Sequence, residues 1–347
     1  MITKLRQPVR TKRSALTLDL ELELNAELVP VAKKVRSTNP AYSNTGSSIT
    51  DQQLKLLSSS VILPKEEPDA QLIRYWSPIV RKYGKAFSRS TVEAYERIRS
   101  YYAKQENNET KLVFVSAISS NHFQEAKAMI RSTQLFFPQH LLIVYDLGLN
   151  DTERVELKSF CNVQYRRFPF SQYPEMFQRL KEYRWKAAIW DIILHEYQSF
   201  WWQDSSVQWR DGLSNKQLSG LMNTAITGVR SPIVLATGSI ANNFAVTDYA
   251  MKDYFPTDDS LQRIQANWQA TLVYVCKTHL SLDFLKWHLL CALETHCMAS
   301  PGAQASINLL LSNYYLFNLT AYTGKRFWIP VTVERNGIGD ASPRQCQ

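Results

Sequence analysis

The sequence predicts an α/β domain whose mostly parallel sheet carries helices on both faces, preceded by a disordered N-terminal tail. Short apolar runs alternate with amphipathic segments between residues 111 and 203, which is typical of parallel sheets in α/β proteins. Hydrophobic residues make up 45% of the 347 residues, so the chain has ample material for a buried core. Residues 1–70, in contrast, contain a single aromatic residue, Tyr42.

The N-terminal part of the chain is predicted to lie outside the globular domain. Residues 1–70 are rich in Ser, Thr, Asn, Lys and Glu, a composition that buries too little apolar surface to fold. Residues 71–107 are predicted to form a helical lead-in, with a helix over about 89–104.

The charge balance excludes one functional class. The net charge of +9 comes from 40 Lys and Arg against 31 Asp and Glu, and the first 13 residues are basic without any acid. Such a run contacts phosphates or anionic membranes in some proteins, but a solvated end is the favoured interpretation. The rest of the chain is nearly balanced, which argues against a nucleic-acid partner.

The predicted domain opens with a strand, a loop and a helix, followed by two more strands. Residues 111–117 form a short apolar run, which is typical of a strand buried on both faces. Asn121 and Gln124, three positions apart, predict a capping box at the start of the helix. Residues 140–145 and 162–168 predict the second and third strands.

A long helix and a fourth strand come next. Pro174 is predicted to start a helix whose apolar residues recur every three or four positions as far as Tyr197. Residues 199–203 then predict a strand of large apolar residues that leads directly into Asp204. A further helix is predicted over residues 283–297.

Glycine and cysteine patterns argue against several functions. The chain has 11 Gly but no G-x-G-x-x-G or G-x-x-x-x-G-K-[ST] motif, which disfavours a dinucleotide site, a P-loop and a Rossmann-like methyltransferase. The 5 Cys fit neither a zinc pattern nor a disulfide framework, so the redox compartment stays open. The sequence contains no membrane-spanning stretch and no signal-peptide core, which predicts that this chain carries no membrane anchor.

Polar residues that follow the predicted strands are the candidates for a site, because ligands of such sheets bind at the strand ends. They are Ser119, Ser120, Asn121 and His122 after the first strand, Asp146 after the second, and Asp204, Ser205 and Ser206 after the fourth. Each also has a structural explanation as a helix cap or turn former. Asp204 is the strongest candidate, because a carboxylate beside large apolar residues is costly unless it serves a metal, an Arg or a ligand hydroxyl.

Successive motifs carry a resemblance to a known family. They are SAISSNHF at residues 116–123, VYDLGL at 144–149, YRWK at 183–186 and WQDSSV at 202–207, with further matches in 244–256 and 286–299. This set resembles domain of unknown function family 1647, a metazoan family that is similar to nucleotide-sugar-dependent glycosyltransferases of the GT-A fold. The resemblance implies a GT-A-like domain over residues 108–335, followed by a flexible C-terminus over residues 336–347.

The resemblance assigns roles to the strand-end residues. The Ser119–His122 loop and Asp146 are expected to bind a nucleotide-sugar donor, which we take to be a UDP-sugar. Asp204 stands in the place of the D-x-D metal motif, which implies Mn²⁺ or Mg²⁺ bound through one carboxylate and the donor diphosphate. Ser205 and Ser206 are expected to contact the donor beside it.

The same resemblance implies roles for two basic residues and a cellular location. Arg184 and Lys186, on the helix before the fourth strand, are expected to face the sugar or the diphosphate. The acceptor is expected to be a glycan or a protein. Relatives of this kind work in the Golgi and the secretory pathway, usually behind an N-terminal membrane helix.

One departure from the family pattern bears on activity. A His-Arg-x-Asp-Gln-Ser-Ala motif is expected before the helix that contains Asn308, whereas residues 300–306 read Ser-Pro-Gly-Ala-Gln-Ala-Ser. The His, Arg and Asp of that motif are absent. The leading prediction is therefore sugar transfer from a nucleotide-sugar donor, and the alternative is a catalytically inactive relative that binds a glycan or a nucleotide sugar or acts as a scaffold.

Overall fold

The computed structural model describes residues 84–103, 109–226, 232–257, 259–298, 305–310, 331–333 and 343–346. The tail predicted over residues 1–70 lies outside these residues, as does most of the sequence that replaces the His-Arg-x-Asp motif.

A six-stranded sheet forms the centre of the domain. The strands are β1 Glu109–Ile118, β2 Leu142–Asp146, β3 Val163–Arg167, β4 Tyr197–Gln203, β5 Val207–Trp209, β6 Ile233–Asn242, β7 Ala266–Cys276 and β8 Val331–Val333. The order in the sheet is β3-β2-β1-β4-β7-β6, and its first four strands are parallel. β7 runs antiparallel to both β4 and β6, so the sheet is mixed, and β5 pairs with β8 separately.

Helices flank the sheet along the whole described chain. They are α1 Arg89–Ala103, α2 Phe123–Phe136, α3 Asp151–Ser159, α4 Arg184–Glu196, α5 Asn215–Ile226, α6 Asn243–Val246, α7 Tyr249–Tyr254, α8 Asp259–Ile264 and α9 His279–Leu293. Reciprocal capping boxes start α3, at Asn150 and Glu153, and α9, at Thr278 and Ser281. No helix in the described ranges has the length and apolarity needed to cross a membrane.

Apolar side chains cover both faces of the sheet, which explains the continuous apolar runs in the parallel strands. In β1, Val113 and Val115 join the cluster formed with α1, α4 and α9. Phe114 and Ile118 point the other way and join the cluster formed with α2 and α5. The predicted class, an α/β fold with parallel strands between helices, is confirmed.

The segment before α4 differs from the predicted helix. Residues 175–178 and 180–182 form short 3₁₀ turns, and α4 begins only at Arg184. Tyr183 has a left-handed backbone, with φ of 57°, and this conformation interrupts any helical path through it. The apolar spacing that predicted one long helix is also satisfied by these turns, since Phe177 is fully buried.

The capping box predicted at Asn121 does not form either. Residues 120–122 make a 3₁₀ turn, and α2 begins at Phe123 without a side-chain cap. The Asn121 side chain instead accepts a hydrogen bond from the Ser119 hydroxyl, with 2.6 Å between the oxygens.

Disulfides pair four of the five cysteines. Cys291 is bonded to Cys297 just after α9, and Cys161 is bonded to Cys346 across 185 positions of sequence. Cys276 stays a free, buried thiol.

The Cys161–Cys346 bond changes the interpretation of the C-terminus. Residues 343–346 lie in the range predicted to be flexible, but the disulfide and a β-bridge between Phe160 and Gln345 fix them to the domain. The prediction of a flexible C-terminus is therefore wrong for residues 343–346. A disulfide between residues so far apart in sequence has no local sequence pattern by which it could be predicted.

We expect the denatured, unreduced chain to react at one thiol and the fully reduced chain at five. Maleimide labelling in denaturant followed by mass spectrometry counts the thiols in both states. Cys346→Ser should raise the unreduced count to two, because it frees the Cys161 thiol. Labelling of all five thiols without reductant would contradict the pairing.

Candidate functional site

The carboxyl ends of β1, β2 and β4 lie along one edge of the sheet. Ile118 pairs with Asp146 at the ends of β1 and β2, and Val115 pairs with Trp202 near the end of β4. Because the strands are parallel, the loops after them emerge at the same edge. This edge carries the loop of residues 119–122 and the loop of residues 204–206.

The loop of residues 119–122 is polar, exposed and held from the side. Its Ser120 hydroxyl lies 3.0 Å from the Gly148 carbonyl oxygen and 2.6 Å from a Glu153 carboxylate oxygen. The Ser119 hydroxyl donates to Asn121 within the loop. The loop is therefore ordered by its neighbours and still presents an amide, hydroxyls and an imidazole to solvent.

The Asp146 carboxylate is fully hydrogen-bonded within the protein, in part to the turn that follows it. Its Oδ1 accepts hydrogen bonds from the backbone N–H groups of Gly148 and Leu149, both at 2.7 Å. Its Oδ2 accepts from Arg154 and from the Tyr165 hydroxyl, both at 2.8 Å. Burial alone would raise the pKa of Asp146, but these hydrogen bonds outweigh it and hold the pKa below its usual value. Both carboxylate oxygens thus have protein partners.

Arg184 is buried and does not face the open edge. It is 2% exposed, and its Nε donates to a Glu182 carboxylate oxygen at 2.6 Å. The other four N–H groups donate to backbone carbonyls in the last turn of α9 and just after it, those of Ala292, Glu294, Thr295 and Met298. Every donor of the guanidinium is therefore occupied by protein, and the geometry gives no support to a phosphate contact.

Lys186 and Asp204 form an ion pair at the end of β4. The Lys186 Nζ atom donates to Asp204 Oδ1 at 2.8 Å and to the Ala270 carbonyl oxygen at 3.1 Å. The Trp202 indole N–H donates to the same Asp204 Oδ1 at 2.7 Å. The Lys186 side chain is 4% exposed, whereas that of Asp204 is 31% exposed. Asp204 thus lies at the boundary between the core and the open edge.

Glu125 connects the two loops and was not predicted from the sequence. Its carboxylate accepts a hydrogen bond from the Ser205 hydroxyl and lies 3.8 Å from Nδ1 of His122. The only signal for it is its place in the first turn of α2, three positions after His122. Ser206, in contrast, is buried.

The chemistry around Asp204 does not fit a divalent metal. Within the described ranges, no cluster of three or more His, Cys, Asp or Glu side chains could hold an ion. One Asp204 oxygen already binds an ammonium group, and that positive charge repels a second cation. The metal role predicted for Asp204 has no support from the residues beside it.

Solved structures that resemble this chain are glycosyltransferases, at low identity. The galactosyltransferase LgtC, in complex with donor and acceptor sugar analogues, is 13% identical over 57% of this chain and 69% of its own, with a TM-score of 0.37. The bifunctional glycosyltransferase WbbM is 10% identical over 58% of this chain and 37% of its own, with a TM-score of 0.40. Core-mannan synthase A from Aspergillus fumigatus, in a Mn/GDP form, is 10% identical over 59% and 70%, with a TM-score of 0.39.

Sequence comparison finds a family match over part of the chain and no curated relative. No curated protein sequence matches the chain. The model of DUF1647, a protein family of unknown function, matches residues 79–191. That range contains the motifs at residues 116–123, 144–149 and 183–186. The match over residues 79–191 confirms the resemblance to this family that the motifs indicate.

Proposed function

We propose that this chain binds a UDP-sugar donor at the edge formed by the loops 119–122 and 204–206 and transfers the sugar to a glycan or protein acceptor. One observation carries the proposal: Glu125 joins the exposed loop 119–122 to the partly buried loop 204–206, and both loops follow neighbouring parallel strands. Open α/β sheets bind their ligands at this edge.

The transfer requires one bond to form and one to break. An oxygen of an acceptor hydroxyl bonds to C1 of the sugar, while the bond between C1 and the diphosphate oxygen breaks. UDP leaves with the electron pair of that bond, and the proton of the acceptor hydroxyl passes to the departing diphosphate or to water. In this proposal the loop 119–122 holds the nucleoside, and Asp204 with Ser205 holds sugar hydroxyls.

Replacing Asn121 with alanine is expected to weaken UDP binding about tenfold, or about 1.4 kcal/mol, because the exposed amide that contacts the nucleoside is removed. Isothermal titration of UDP into wild type and variant measures the change. Gln124→Ala is the matched control, since Gln124 is an exposed amide on the adjacent turn. Equal weakening in both variants would remove the loop from the site, and a wild type that does not bind UDP would remove the donor.

A catalytically inactive relative is the second candidate. It is favoured by residues 300–306, which lack the His, Arg and Asp of the family motif. The two candidates share donor binding and differ in turnover. Release of UDP from UDP-sugars, with and without glycan acceptors, separates them, because a binding protein leaves the donor intact.

We also place the chain in the secretory pathway, in line with the family resemblance. The support is chemical: two disulfides hold the fold, and disulfides persist mainly in oxidising compartments.

A further inference from the structure

The Lys186 ammonium group is fixed beside Asp204 by several independent contacts. It donates to Asp204 and to the Ala270 carbonyl. It also lies 5.0 Å from the ring centre of Trp202, 5.6 Å from that of Tyr183 and 5.9 Å from that of Trp185. Aromatic faces attract a cation, and such attraction grows when the cation is desolvated. These contacts therefore hold the Lys186 ammonium group in a fixed position at this point of the site.

The second oxygen of Asp204 has a different environment. Oδ1 takes both protein donors, from Lys186 and Trp202. No donor from the described part of the chain reaches Oδ2, and the side chain is 31% exposed. An ionised carboxylate oxygen only accepts hydrogen bonds, and those it accepts are stronger than neutral ones. Oδ2 is thus suited to a hydroxyl of a ligand.

An exposed aromatic ring lies near the Lys186 ammonium group that pairs with Asp204. Tyr183 is 41% exposed although its ring is near the buried Lys186 ammonium. Its left-handed backbone is uncommon for a residue with a large side chain, and such conformations concentrate at functional sites. An aromatic ring near an ammonium–carboxylate pair matches a sugar ring, which has an apolar face and hydroxyl edges.

We propose that Lys186 takes the place of a divalent cation in this site, and that Asp204 Oδ2 accepts a hydroxyl of the sugar nucleotide directly. Donor binding then needs no metal. The identity of the ligand rests on the proposed function, whereas the statement about the cation does not. The hydroxyl belongs either to the ribose or to the transferred sugar, and the two ligands used below distinguish these sources.

The first experiment tests the cation with Mn²⁺ alone. Electron paramagnetic resonance measures free Mn²⁺ in the presence of wild type, Asp204→Asn and the control Asp253→Asn, which alters an exposed carboxylate on α7. We expect the three proteins to leave the same amount of Mn²⁺ free. Stoichiometric binding by wild type that Asp204→Asn abolishes and Asp253→Asn retains would overturn the proposal, whatever nucleotide the protein binds.

The second experiment titrates UDP and UDP-glucose in excess EDTA and in MnCl₂. We expect wild-type affinities to agree within about twofold between the two conditions and Asp204→Asn to weaken binding about tenfold in EDTA. In the Asn side chain the amide oxygen must face Lys186 and Trp202, so an N–H group replaces Oδ2 and cannot accept a hydroxyl proton. A loss with both ligands assigns the ribose hydroxyl, and a loss with UDP-glucose alone assigns the transferred sugar.

Other outcomes separate the inference from the proposed function. Binding that requires Mn²⁺, or equal affinity of wild type and Asp204→Asn, overturns the inference while UDP binding itself survives. If neither ligand binds, the donor proposal and the role of Oδ2 both fail, and the Mn²⁺ measurement alone decides the cation. If Asp204→Asn does not fold, the double variant Lys186→Met/Asp204→Asn replaces it, because it leaves no unpaired buried charge.

Discussion

Replacing Arg184 with alanine is expected to destabilise the fold by about 3–5 kcal/mol, the range for removing one partner of a buried charged network. The guanidinium is 2% exposed and uses all its N–H groups. Alanine would remove the donor to Glu182 Oε2 and would leave several buried carbonyls without the donors that Arg184 supplies. Each unsatisfied buried acceptor costs about 1–3 kcal/mol, and relaxation of the segment recovers part of the total.

The position of Arg184 explains why the effect should be large. The last carbonyls of a helix have no partners inside the helix, and the helix dipole places negative charge there. Arg184 satisfies the carbonyls of Ala292 and Glu294 at the end of α9, and Thr91 in α1 satisfies that of Leu293. One cation from α4 therefore fastens the end of α9 and the loop that the Cys291–Cys297 disulfide closes.

Urea unfolding of wild type, Arg184→Ala, Arg184→Lys and Arg179→Ala measures this contribution. Lysine has three donors and no planar fork, so Arg184→Lys should recover only part of the loss. Arg179 is the matched control, because its side chain is 70% exposed and pairs with the same Glu182. Arg179→Ala should change the free energy of unfolding by less than about 0.5 kcal/mol. If Arg184→Ala lowered the free energy of unfolding by no more than Arg179→Ala does, the structural role of Arg184 would be contradicted.

The parallel half of the fold could be predicted because its signals are local. An apolar run such as residues 111–117 needs no partner to be recognised, and its two buried faces already indicate helices on both sides. The antiparallel strands β6 and β7 were not predicted. Their direction depends on pairing with β4, and the order β4-β7-β6 reverses the sequence order of β6 and β7. No local sequence pattern indicates this direction or this order of the strands.

The candidate site shows the same limit at the level of single residues. The ends of the predicted strands placed the loops 119–122 and 204–206 at the same edge of the sheet. The structure has them there, because parallel pairing of the strands is enough to bring them together. The roles of Arg184 and Lys186 depend on acceptors that lie far away in sequence, up to 114 positions for Arg184. In sequence both appear as basic residues on one helix. Only the folded chain shows that both are buried and that Lys186 alone reaches Asp204.

Acid is expected to destabilise the protein through His288, by about 1.4 kcal/mol for each pH unit below 6.5. His288 is completely buried against α4, beside Trp190 and near Lys186. Burial, followed by the positive charge of Lys186, lowers the pKa of His288 from 6.5 to about 3. Its Nδ1 lies 3.0 Å from the Ser306 hydroxyl oxygen, and its Nε2 has no hydrogen-bond partner among the described residues.

The free energy of unfolding changes with pH in the direction set by which state, folded or unfolded, binds more protons. Below pH 6.5 the imidazole of the unfolded chain takes up a proton, while the folded imidazole stays neutral until the pH approaches about 3. The unfolded state then binds more protons, so the free energy of unfolding falls as the pH falls through this window. About two pH units below 6.5, this one side chain should have removed about 2.7 kcal/mol.

His288→Gln isolates this contribution, since glutamine is uncharged at every pH and retains a polar group for Ser306. Urea unfolding across the acid range should give a shallower pH dependence for His288→Gln than for wild type, and the difference between the two curves should widen steadily below pH 6.5. Carboxylates titrate equally in both proteins and cancel in that difference. Parallel curves for His288→Gln would mean that this imidazole has no depressed pKa, and the acid sensitivity would then belong to other groups.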